Sequence, residues 1–453
     1  MKNLNFILRF YILTGFFYFI YYLNAVSDKY LIIHFYHFFC LLLLGGVYIY
    51  LIQFKKNSNY SLNNLILLVA FISLVLIVCN NYLSYSLRGN YWVFCEADDL
   101  EYDKVARALN SSSMSFSGVL KSVGLSNLDF SDYGMIFYTS LIYSIFDSNL
   151  MINLSYWVLG LVSAKLMFEL AGLFMEKKYA FFSTLLFFTS SFMGWFNSSG
   201  LKEPLMVFLV LLAFRNYGYY MNKSKKNRYL LPFSLSIIAL LFFRPVLSIF
   251  IVFSTLATSL LSSNVKRFQK VLIIILSIIL IYSFNFLFLL EFNRYTGGSY
   301  DQMVESLYSE EVIVGSNIYF NSIVQIISAI FGVFPTINPD VRLLLSFFYP
   351  SLILKIFLGL FYTIGIYIAF KKNDVIILPI VLFSLIEIVA LIFTFEVLEL
   401  RKNIPHFMMY YLLMFYAINK IEKASVKIKS NIAFLNYIYI FVSFTLIFFW
   451  NNR

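Results

Sequence analysis

Long apolar stretches, each broken by a short polar cluster, follow one another along nearly the whole chain. A helix needs about 20 apolar residues to cross about 30 Å of hydrocarbon. Stretches of that kind occupy residues 5–24, 31–53 and 63–84, and then 150–174, 179–196, 204–221, 229–243, 245–262, 269–290, 346–370, 374–395, 404–419 and 432–449. The pattern predicts an all-α, polytopic transmembrane helix bundle of about 13 spans. Residues 1–453 read as one integral membrane domain. The first stretch lacks a small-residue cleavage site and reads as a retained span, not as a signal peptide.

Two apolar stretches do not fit a simple crossing. Residues 134–146 are only about thirteen long, which suits an interfacial helix. Residues 320–342 are broken by Pro335 and Pro339, which suits a re-entrant or interfacial element. The basic clusters decide between the topologies, because short cytoplasmic loops collect Lys and Arg. With the N-terminus in the cytoplasm and 134–146 kept at the outer interface, Lys55, Lys56, Lys177, Lys178, Lys223, Lys225, Lys266, Arg267, Lys371, Lys372, Lys420 and Lys423 all fall inside. Residues 85–149 then form a first large extracytoplasmic loop with its interfacial helix, and 291–345 a second.

Composition narrows the class further. Hydrophobic residues make up 61% and charged residues 13% of 453 positions, which excludes a soluble globular protein of this size. The net charge of +11 is spread in clusters between apolar stretches, so it marks topology and no nucleic-acid partner is expected. Cys40 and Cys79 fall in apolar stretches and Cys95 in a polar loop, a spacing that supports neither a disulfide framework nor a zinc site. His34 and His37 share a helical face and suit an interfacial position.

On this topology the ionisable residues gather on the outer side. The densest run is Glu96-Ala-Asp98-Asp99-Leu-Glu101-Tyr102-Asp103, in which Asp98, Tyr102, Ala106 and Leu109 recur at helical spacing. Asp98 or Asp99 would cap that helix. The plainer reading is a solvated acidic loop. The chemical one makes a paired carboxylate at the membrane surface a general base toward an acceptor hydroxyl, or the holder of a divalent cation beside a phosphate leaving group.

Asp98-Asp99 with Tyr102 and Ala106, the segment from Tyr133 to Phe146, the span from Asn153 to Lys178, and Ser198-Ser-Gly-Leu-Lys202-Glu203-Pro204 together resemble the GT-C superfamily of polyprenyl-phosphate-sugar-dependent glycosyltransferases. The likeness runs over residues 85–220, with three spans before the acidic loop where many members have one. It implies catalysis by Asp98 and Asp99 in a bacterial cytoplasmic (inner) membrane, on a polyprenyl-linked sugar donor and a glycan or lipid-linked acceptor. Substrate contacts are expected from Glu96, Tyr102, Lys202, Glu203, Arg244, Arg294, Arg342, Arg401, Lys402 and His406. Polymerases of O-antigen and capsule repeat units share this chemistry, and Arg294, Arg342 and Arg401 would suit their pyrophosphate, since the planar guanidinium binds phosphate oxygens in pairs. A lipid-linked sugar flippase or transporter is the alternative of another class. It would show internal repeats and polar groups near the midplane.

Other polar residues in the spans have simpler expectations. Lys165 and Glu169, four apart, suit a mutual pair. Arg244 before Pro245 either snorkels to headgroups or reaches a lipid phosphate. Glu387 stands alone within a span.

Overall fold

The computed structural model describes residues 2–23, 35–36, 38–40, 42–46, 48–49, 60–93, 97–112, 115–123, 130–224, 227–261, 349–393 and 403–451. Among them every regular element is helical and no strand occurs. Among the described residues three helices are long and apolar enough to cross a membrane: α2 (Leu62–Arg88), α6 (Asn149–Ala171), and Val426–Phe449 within α16 (Val426–Asn451). A fourth crossing arises if α12 (Tyr349–Phe357) and α13 (Gly359–Lys372), bent by 49° at Leu358, act as one. Shorter apolar helices lie within α1 (Lys2–Leu23), α10 (Leu230–Leu241), α11 (Pro245–Leu261) and α14 (Leu378–Phe393).

The apolar stretch at 179–196 is divided into α7 (Lys177–Phe188) and α8 (Ser191–Phe196). Its break follows from two hydroxyls. Thr189 Oγ1 donates to the Leu185 carbonyl at 2.6 Å and Ser190 Oγ to that of Phe187 at 2.5 Å, while Ser190 Oγ also accepts the Met193 amide at 3.3 Å and so caps α8. α2 is bounded as cleanly, with Ser61 Oγ accepting the Asn64 amide and Gly89 closing it at φ 69°.

α15 (Ile404–Glu422) is buried almost all round and forms the hub of the bundle. It crosses α13 so closely that a Cβ on Gly365 would come within 2.3 Å of the Leu413 carbonyl oxygen. α16, of similar composition, lies outside it and exposes Phe434, Phe441 and Phe449.

The helices give the bundle two chemically different ends. At one, Lys423 pairs with Glu176 at 2.6 Å, Tyr179 donates to Glu422, and Lys372 and Lys423 lie within electrostatic reach of Lys420. α6 and α9 (Glu203–Tyr219) both finish here, where a Cβ on Gly218 would touch Leu173, Leu170 and Ile376. Their starts lie at the other end, together with α3 (Ala97–Ser111), α4 (Phe116–Val123) and α5 (Phe130–Ile145). α5 runs antiparallel to the first half of α6. Met135 and Tyr138 meet Tyr156 and Ser155, and Tyr143 meets Asn149, so its contacts with α6 stay in that half of the bundle.

Candidate functional site

The site is built at the end opposite the lysines, from segments that are far apart in sequence. α3 begins at Ala97, so Asp98 and Asp99 lie inside its first turn and neither is the cap. Carboxylates there are favoured by the exposed amides and the helix dipole, and Asp99 Oδ1 accepts the Leu100 amide at 2.9 Å. Asp99 is buried and Asp98 half-buried. One turn on, Tyr102 donates its hydroxyl to Asp132 Oδ1 at 2.7 Å. The same oxygen accepts Lys202 Nζ at 2.6 Å, and Lys202 also donates to the Ser131 carbonyl at 3.1 Å.

Lys202 stands just before α9, and the loop that delivers it is tightly fixed. Gly200 adopts φ 70° with its α-carbon against the Trp92 ring, so close that a Cβ would sit 2.7 Å from Cζ3. Only glycine takes that backbone region without strain and leaves that space. Val93 donates its amide to the Ser198 carbonyl at 3.3 Å, and Tyr156 its hydroxyl to the Leu201 carbonyl at 2.7 Å. Glu203, the first residue of α9, is buried and within electrostatic reach of Tyr102 and Tyr156. Three carboxyl groups, from Asp98, Asp132 and Glu203, thus lie within electrostatic reach of the Tyr102 phenol, and Asp132 also holds the Lys202 ammonium.

That crowding moves the titrations. Burial first, then the charges of Asp132 and Asp98, push the Tyr102 phenol well above its usual range and keep it a donor. Glu101 is raised by burial and then by Asp98 and Asp132. A carboxyl so placed holds its proton more readily than a solvated one, as proton-transfer sites require.

A second knot clasps the far end of α3. Arg107 donates to Asp103 at 3.1 Å, to Asn149 at 2.5 Å and to Asp147, with its guanidinium 4.4 Å from the centre of the Tyr143 ring. Tyr143 in turn donates to Asp103 and, at 2.9 Å, to Asn149. Burial first, then the Asp103 carboxylate, raises this phenol and keeps it protonated.

Below the acidic cluster lies a third group, inside the bundle. The Gly134 amide donates to the Phe242 carbonyl at 3.0 Å, which sets the start of α5 on the turn between α10 and α11 that carries Arg244. Arg244 lies within electrostatic reach of Glu387 on α14. His406, two residues into α15, is fully buried, with Nδ1 2.9 Å from Ser384 Oγ, and that hydroxyl is 2.8 Å from Tyr362 OH. Lys355 on α12 is also fully buried and sits over the rings of Tyr410 and Phe407, at 3.7 and 4.2 Å.

The structure therefore brings Asp98, Tyr102, Lys202 and Glu203 together, with Asp99 in the same turn of α3 as Asp98, and sets Arg244 and His406 in a neighbouring buried group. Glu96, Arg294, Arg342, Arg401 and Lys402 lie outside the described residues, as do the second loop at 291–345 and the stretch at 269–290. Two residues central to these clusters escape the sequence pattern. Asp132 looks like an ordinary loop acid beside Tyr133, and Lys355 was passed over although one charge in a long apolar stretch is the signal that could have found it. The Lys165–Glu169 pair is replaced: Glu169 accepts Arg215 at 2.9 and 2.6 Å, because α6 and α9 pack side by side and the guanidinium offers two donors to one carboxylate.

Among the described residues no three His, Cys, Asp or Glu side chains converge to hold a metal ion. The chain matches no model of a known protein family and no curated protein sequence.

Proposed function

We propose that this all-helical membrane protein is a glycosyltransferase that takes sugar from a polyprenyl-linked donor at the extracytoplasmic face of a bacterial cytoplasmic membrane, in surface polysaccharide assembly. In this reading the bundle has about 13 spans and a cytoplasmic N-terminus, and the lysine-rich end faces the cytosol. One observation carries the proposal: the Tyr102–Asp132–Lys202 knot, with Asp98 and Glu203 within electrostatic reach of its phenol, stands at the end away from those lysines.

Asp98 or Asp99 takes the proton of the acceptor hydroxyl. The acceptor oxygen attacks the anomeric carbon, the bond from that carbon to the phosphate oxygen breaks, and the lipid phosphate leaves with the electron pair. Lys202, Arg244, His406, Arg294, Arg342, Arg401 and Lys402 are the groups proposed to contact substrate and balance the leaving charge. Glu96, Tyr102 and Glu203 complete the proposed contacts.

The test is sugar transfer in inverted and right-side-out membrane vesicles supplied with a radiolabelled polyprenyl-phosphate sugar. Asp98→Asn and Asp99→Asn should abolish transfer while leaving the protein folded and in the membrane; unchanged transfer in both would refute the assignment. Cysteines introduced at the exposed Ser111 and Lys423 should react with an impermeant thiol reagent from opposite sides, Ser111→Cys from outside.

A flippase of lipid-linked sugars is the second reading, favoured by the ionisable groups buried inside the bundle at Lys355, Glu387 and His406. A flippase defect leaves the precursor in the cytoplasmic leaflet, and a transferase defect leaves it in the outer one. A repeat-unit polymerase would give surface glycan of a single repeat unit when the gene is deleted.

A further inference from the structure

A row of neutral polar side chains runs through the interior of the bundle, apart from the acidic cluster and from the group round His406. Between residues 35 and 49, which are helical where described, Tyr36, Cys40, Leu44 and Tyr48 recur every fourth position and are buried, whereas Phe35, Phe39 and Leu42 are exposed. The four therefore share one inward face. At the helical rise per residue, the distance from Tyr36 to Tyr48 is about 18 Å, more than half the hydrocarbon thickness.

The row opens near the end that carries the acidic cluster. Asn153 stands one turn into α6, whose first residue, Asn149, is held in the Arg107 clasp. Asn153 donates to Asn81 Oδ1 on α2 at 3.2 Å, the adjacent Asn80 accepts the Tyr36 hydroxyl, and the Cys40 thiol is in hydrogen-bonding contact with Tyr36. Tyr11 of α1 lies within electrostatic reach of Cys40, Tyr48 and Tyr411. The row ends at Thr189, where α7 gives way to α8. Thr189 spends its own proton on the Leu185 carbonyl, so Tyr48 is the donor in the bond between them.

Four buried atoms along this row make no hydrogen bond among the described residues: Asn153 Oδ1, Asn80 Nδ2 and the hydroxyl oxygens of Tyr11 and Tyr411. A polar group withdrawn from solvent and left unanswered costs stability, and native interiors hold few of them. Every group in the row is neutral, so an ion would meet no counter-charge along it. Water suits all four atoms. It donates to the Asn153 oxygen and accepts from the Asn80 amide and the two phenols, and the three phenols round Tyr11 offer the two to four partners that a buried water takes.

We propose that this row is a hydrated path: a file of water molecules enters between α2 and α6 at Asn153, follows Asn80 and Tyr36, and reaches Tyr11, Tyr48 and Tyr411 at the break between α7 and α8. The path brings solvent deep into the bundle from the end that carries the acidic cluster. None of its residues belongs to the proposed transfer site, so it stands or falls apart from that reading.

Hydroxyl-radical footprinting of the purified full chain in lipid nanodiscs tests the path. X-ray radiolysis of bound, isotope-labelled water oxidises the side chains that the water touches, and mass spectrometry reads the rate at each residue. Tyr11 and Tyr411 should be oxidised several-fold faster than Phe182 and Phe214, which are as deeply buried but packed against other rings. Equal rates overturn the proposal. Asn153→Leu, which keeps the volume and makes the entrance apolar, should slow oxidation of Tyr11 and Tyr411 several-fold and leave Phe182 unchanged. Asn80→Leu takes its place if the first variant does not elute as a monodisperse species. Unslowed oxidation in a monodisperse variant overturns the route of entry and the path with it.

Discussion

Lys202 and Asp132 stand 2.6 Å apart across seventy positions of chain, and this contact ties the start of α9 to the start of α5. Both side chains are largely withdrawn from solvent, at 17% and 13% exposure, so each is held by the other more than by water.

Removing one partner should therefore be worse than removing both. Asp132→Ala is expected to destabilise the protein by about 3 kcal/mol, because it leaves an ammonium in a low-dielectric setting. The double variant Asp132→Leu with Lys202→Met should recover much of that loss. Thermal unfolding in detergent, followed by tryptophan fluorescence, checks it; additive losses in the two single variants would show that the pair contributes no coupling.

Gly200 is expected to tolerate no side chain. Gly200→Ala places a methyl against the Trp92 ring and an L-residue at φ 70°, with an expected cost of about 2 kcal/mol. The same change should displace Lys202 from Asp132, so transfer should fall further than stability alone explains. Equal melting temperatures for the variant and wild type would contradict this.

The raised Glu101 carboxyl gives a pH signature of definite sign. A folded-state value above the ordinary 4.5 means that the native protein holds the proton longer than the unfolded chain. Its contribution to stability is complete below 4.5 and is lost as pH rises through the folded value. Glu101→Gln should then melt higher than wild type at neutral pH and alike at pH about 4. A gain of the same size at both pH values would mean that Glu101 acts by something other than its charge.

The Arg107 clasp should be specific to guanidinium. Its fork reaches Asp103, Asp147 and Asn149 at once, which a single ammonium cannot do. Arg107→Lys is expected to behave nearly as Arg107→Ala, each costing roughly 1 kcal/mol at this partly exposed position. The effect should appear locally, as faster amide exchange across α3, with exchange in α15 unchanged.

Local signals made much of the architecture readable from sequence. Apolar length marked helices, though not the break at Thr189 and Ser190 inside the stretch at 179–196, while Pro245 opened α11 after Arg244 and the acidic run fell on α3 with Tyr102 one turn from Asp98. These features depend on residues within a few positions of each other. The lysine clusters were legible for the same reason, and the structure gathers those at 177–178, 371–372, 420 and 423 at one end.

Partner choice was decided only by tertiary packing. Sequence spacing offered Lys165 to Glu169, but the side-by-side helices α6 and α9 gave it Arg215. Nothing near Asp132 in the chain announces Lys202, and nothing near Lys355 announces His406. Nor does composition separate α15 from α16, although one is buried all round and the other exposes a row of phenylalanines. Lipid is as apolar as the interior of a bundle, so hydropathy records that a helix avoids water and is silent about which face meets protein. The chain by itself determined which segments leave water and which charges stay at their ends; the packing of those segments determined which charges meet.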